Sequence, residues 1–97
     1  MADAKTLLCG FAEQIEKILI EFSINEENAL KLMGELKGEL SKKHSVNNDD
    51  KELFEACIYN ALATVNTVPG QKKKSTQLLM ALTEAKDEIK AIAEILN

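Results

Sequence analysis

The sequence predicts an all-α fold, an antiparallel up-down-up-down four-helix bundle, and three observations carry that expectation. Apolar residues recur at three- and four-residue steps over four separate stretches, the spacing of a helix with one buried face. Leu, Ile and Ala dominate the apolar residues, and with a single Pro the composition favours helix over strand. Cap and turn signals divide the stretches into pieces of similar length with short connections, which suits neighbours that run antiparallel. The expected helices are about 4–22, 26–44, 49–66 and 75–96.

In the first helix Leu7, Leu8, Phe11, Ala12, Ile15, Ile18, Leu19 and Phe22 share one face, and Glu13, Glu16, Lys17 and Glu21 lie opposite. Cys9 and Ile20 are apolar exceptions on that outer side. Ser23 with Glu26 has the form of a capping box, and Asn25 is a competing N-cap, so either residue starts the second helix. Its buried face is Ala29, Leu32, Met33, Leu36 and Leu40, and the positive run Lys42, Lys43, His44 suits its C-terminus.

Ser45 to Asp50 reads as a polar loop, with Asp49 and Glu52 repeating the cap pattern before the third helix. In that helix Leu53, Phe54, Cys57, Ile58, Ala61, Leu62 and Val65 form a broad face, and Glu55, Ala56, Tyr59, Asn60 and Ala63 lie opposite, an outer side with little charge. Pro69-Gly70 marks a turn, and Ser75 is the expected N-cap of the fourth helix. Leu78, Ala81, Leu82, Ala85, Ile89, Ile92, Ala93 and Leu96 form its seam, with Met80 and Ile95 as exceptions. In an up-down-up-down bundle the first and third connections share an end, which places Lys72, Lys73 and Lys74 near Glu21, Glu26 and Glu27.

The 97 residues suit one domain with one aliphatic core, since aromatic residues are 4% of the chain and there is no Trp. All twelve basic residues are lysine, so no site here can use the two-pronged arginine grip on carboxylate or phosphate. The net charge of −4 is spread evenly, because residues 1–48 and 49–97 each carry six Lys against eight acids. Without a basic stripe or interleaved aromatics, no nucleic-acid partner is expected. No apolar run approaches the ~20 residues of a membrane span. Two cysteines without a leader-like segment read as reduced thiols, and the expected location is cytoplasmic.

Catalytic signals are sparse. The single histidine, His44, falls at an expected helix end beside two lysines, the place of a solvated residue rather than a general base. No inward Glu-x-x-His spacing exists for a metal pair, and Asn47-Asn48-Asp49-Asp50 lacks the register of a calcium loop, so neither metal nor cofactor is expected. Cys57 reads as core, and Cys9 as either an exposed thiol or one beneath a loop.

Two features point to protein binding instead. Tyr59, Ala56 and Ala63 share the outer side of the third helix, an aromatic beside two small residues where a solvated helix shows charge. Either a partner covers this face or the monomer wraps it. Gly34 and Gly38 stand one turn apart on the second helix, a spacing that permits close backbone approach or is simply tolerated. The function expected is a small non-enzymatic interaction module of the adaptor, chaperone, immunity or anti-factor type, binding another protein through Tyr59, Ala56 and Ala63, extended by Gly34 and Gly38. The alternatives are a self-assembling subunit, with Ile20, Met80 and Ile95 packing against another copy, and a small-ligand carrier or enzyme.

Overall fold

In the computed structural model, residues 3–66 and 76–96 are described. Four helices follow one another: α1 Ala4–Ile24, α2 Glu26–Ser41, α3 Asn48–Asn66 and α4 Thr76–Ile95. They pack as an antiparallel four-helix bundle. Its long axis of 38 Å matches helices of about 20 residues, each ~30 Å long, plus their connections.

Asp3 caps α1, its carboxylate accepting from the Lys5 N–H at 3.3 Å and the Thr6 hydroxyl at 2.9 Å. The helix runs to Ile24, two residues beyond the expected end, and takes in Ser23. Asn25 therefore wins the competition for the α2 cap: its side chain accepts from the Asn28 N–H at 3.2 Å while its own N–H closes α1 on the Glu21 carbonyl at 2.7 Å. One residue ends one helix and starts the next. Asn28 Nδ2 donates to Glu21 Oε1 at 2.8 Å and ties the two helices across this turn.

The expected end of α2 at His44 is corrected to Ser41. The imidazole of His44 turns back, with Nε2 3.0 Å from the Glu39 carbonyl, so a side chain takes up an acceptor that further helix would have used. The same ring sits edge-on between Phe11, at 5.6 Å and 72°, and Phe54, at 5.9 Å and 81°. His44 is half-buried, and the expectation of a solvated helix end is overturned. Val46 is also buried, so the connection between α2 and α3 is pinned by an apolar anchor within a polar run. α3 begins at Asn48, which places Asp49 inside the first turn, where its charge suits the helix dipole, instead of before it.

The expected seams meet in the core. Leu8, Ile15 and Ile18 of α1, Leu36 of α2, Val65 of α3 and Leu78, Leu82 and Ile89 of α4 are fully buried, and among the described residues no polar or charged side chain is buried. α1 packs extensively against α2 and α4, and α4 against α3, whereas α2 and α3 meet only sparsely. The bundle is thus uneven, with its loose seam between α2 and α3. The turn at Pro69-Gly70, the lysines 72–74 and the cap at Ser75 lie outside the described residues.

Candidate functional site

The loose seam between α2 and α3 opens as a groove of about 330 Å³. Its floor is Leu40 from α2 and Phe54, Ile58 and Leu62 from α3; Lys42, Lys43 and His44 close one end, and Tyr59 and Glu55 form the α3 rim. The groove follows from local structure. Ending α2 at Ser41 frees the following residues to cross to α3, and the His44 ring, wedged between Phe11 and Phe54, holds that crossing at the bundle's end.

Tyr59 is 73% exposed, so the monomer does not wrap the outer side of α3. Ala56 and Ala63 are exposed as well. The structure separates the three by one detail: Tyr59 borders the groove, while Ala56 lines a separate depression with Asp49, Glu52 and Leu53. Ala63 lies one turn beyond Tyr59. On α2, Gly34 and Gly38 are exposed, and a methyl group added at either would meet nothing within 4 Å. No close approach inside the monomer uses them. They do share a row with Ser41, three and seven residues on, and Ser41 borders the groove.

Comparisons with known protein families, with characterised proteins and with solved structures find no match. The site is therefore read from its own chemistry. Among the described residues no group of three His, Cys or acidic side chains converges as a metal site. The imidazole of His44 is engaged with the Glu39 carbonyl and two aromatic rings. Cys57 is a free, buried thiol whose pKa is pushed up to about 11, first by burial and then by the charge of Glu88, so near neutral pH it is protonated and a poor nucleophile. Cys9 is free and exposed, resolving the alternatives left open for it.

Sequence patterning missed the groove floor, because Leu40, Phe54, Ile58 and Leu62 all belong to core-facing seams. A signal existed on α3, where Phe54, Ile58, Leu62 and Tyr59 sweep progressively around the helix from its core face to its outer side. A buried stripe has limits; this one continues to an exposed tyrosine.

The remaining apolar outliers are dispersed. Ile20, Ile24, Met80 and Ile95 are all exposed. Ile20 and Ile24 close α1 and Met80 opens α4, so the antiparallel packing sets them at one end of the bundle. Ile95, fifteen residues beyond Met80, lies about 22 Å away along the α4 axis.

Proposed function

We propose that this chain is a small non-enzymatic protein-interaction module, of the adaptor, chaperone, immunity or anti-factor kind, which binds another protein through the outer side of α3. The observation that carries this role is Tyr59, an exposed aromatic on the rim of an open apolar groove. Tyrosine buries a large ring at small entropic cost and keeps a polar tip, which is why it recurs at binding hot spots. Ala56 and Ala63 flank it with small side chains that let a partner approach. Gly34 and Gly38 extend the same surface onto α2.

Self-assembly through Ile20, Met80 and Ile95 has less support, since a self-complementary interface needs one contiguous patch and these residues lie at opposite ends of the bundle. A catalytic role has less support as well, because the histidine is engaged with the Glu39 carbonyl and the thiol of Cys57 is buried with a raised pKa.

The test is affinity capture of the tagged protein and of its Tyr59→Asp variant at natural expression levels, followed by mass spectrometry. A partner retained by the parent and lost by the variant, with thermal stability changed by less than about 0.5 kcal/mol, supports the role. Equal capture by both proteins sinks it.

A further inference from the structure

The apolar floor of the groove runs along Phe54, Ile58 and Leu62, which follow one another at four-residue steps, so it extends about 12 Å along α3. The groove is open to solvent on its outer side. A small apolar ligand laid in it would leave much of its surface in water, whereas small-molecule pockets bury most of their occupant. An occupant with a polar outer side of its own does not incur that cost. α3 forms the long wall, and its backbone N–H and C=O groups are already paired within the helix, while α2 contributes only its last two residues, Leu40 and Ser41. An extended peptide would therefore bury unpaired backbone groups against α3. A helical one satisfies its backbone internally and offers only side chains.

Charge sets the orientation. Lys42 and Lys43 stand together at the end of the groove made by the α2–α3 connection. Lys42 pairs with Glu39 at 3.0 Å, while Lys43 has no ion-pair partner among the described residues. Glu55, on the α3 rim, calls for a basic side chain on the flank of the same occupant. We infer that the α2–α3 groove receives the apolar face of an amphipathic helix from a partner protein, with a carboxylate-bearing end of that helix set against Lys43. This occupant rests on the interaction role proposed for Tyr59.

Two stapled helical peptides test it, both with a leucine stripe at helical spacing, one carrying glutamates in its first turn and the other lysines at the same positions. Each is labelled and titrated against the full chain by fluorescence anisotropy. The glutamate peptide binds the more tightly of the two; Lys43→Glu weakens it about three- to tenfold, and Tyr59→Asp abolishes binding. Circular dichroism confirms that both variants remain folded. Equal binding of the two peptides, or indifference to Lys43→Glu, overturns the carboxylate orientation. Failure of both peptides, while captured partner still depends on Tyr59, overturns the helical occupant and leaves the interaction role standing. Capture independent of Tyr59 removes that role itself. A Tyr59-dependent dimer in sedimentation, or dodecanoate binding with the same residue dependence, gives the groove to another occupant and overturns the inference.

Discussion

Replacing both glycines of α2 with alanine should stabilise the protein, which is the opposite of what a packed small-residue motif would do. Gly34 lies inside α2 and Gly38 in its last turn, both in ordinary helical conformation, and a Cβ at either would meet nothing within 4 Å. The substitution thus adds no clash and removes backbone freedom from the unfolded chain, worth about 0.4–1 kcal/mol per position. The pair, summed, should contribute about 1–2 kcal/mol. For a domain of this size that raises the melting temperature by roughly 4–8 °C per kcal/mol. Thermal and urea unfolding of the Gly34→Ala/Gly38→Ala variant, followed by circular dichroism, measures it. Unchanged or lower stability would refute the reasoning, since it would mean that something in the monomer already occupies the space beside the glycines. Partner capture by the same variant then separates the two readings of the motif: loss of capture with a gain in stability marks a backbone contact with the partner, and retained capture marks two glycines that are merely tolerated.

Three further outcomes rest on the geometry of His44 and the two thiols. His44→Ala removes a hydrogen bond to the end of α2 and two edge-on ring contacts, and should cost about 2 kcal/mol in urea unfolding; a loss below about 0.5 kcal/mol would return His44 to the status of a solvated surface residue. Ellman's reagent at neutral pH should titrate Cys9 promptly and Cys57 only after unfolding, and rapid reaction of both thiols in the native protein would contradict the burial of Cys57. The folded Cys57 titrates at about 11 against an ordinary value of 9.0. The unfolded chain therefore gives up this proton first, and stability present below pH 9 is lost as pH rises towards 11. Cys57→Ala should flatten that part of the pH profile, and an unchanged slope would assign it to other groups.

The helices, their buried faces and their class of packing are legible in the sequence, because each rests on interactions within a few residues along the chain. Three- and four-residue recurrence of Leu8, Phe11, Ile15 and Ile18 places them on one face regardless of what packs against it. The same periodicity sets Tyr59, Ala56 and Ala63 opposite the core face, but only the packed bundle shows them exposed and not wrapped by the monomer. Element ends are less legible where a distant residue intervenes. Asn25 and Ser23 are both good caps in sequence, and only the course of α1 chooses between them. His44 sits at a position that looks solvated by local rules, but Phe11 and Phe54, thirty-three residues before and ten after it, supply the cleft that draws the ring inward.

The amino-acid sequence alone determined that four amphipathic helices would bury an aliphatic core. Tertiary structure alone decided that α2 and α3 meet loosely, that the connection between them folds back on His44 and Val46, and that Leu40, Ile58 and Leu62 line a groove at whose rim Tyr59 stands. The physical reason is that periodicity records which side of a helix avoids water, whereas the gap between two helices depends on how both are held by the others. α1 and α4 hold them here, and the groove is the space left over.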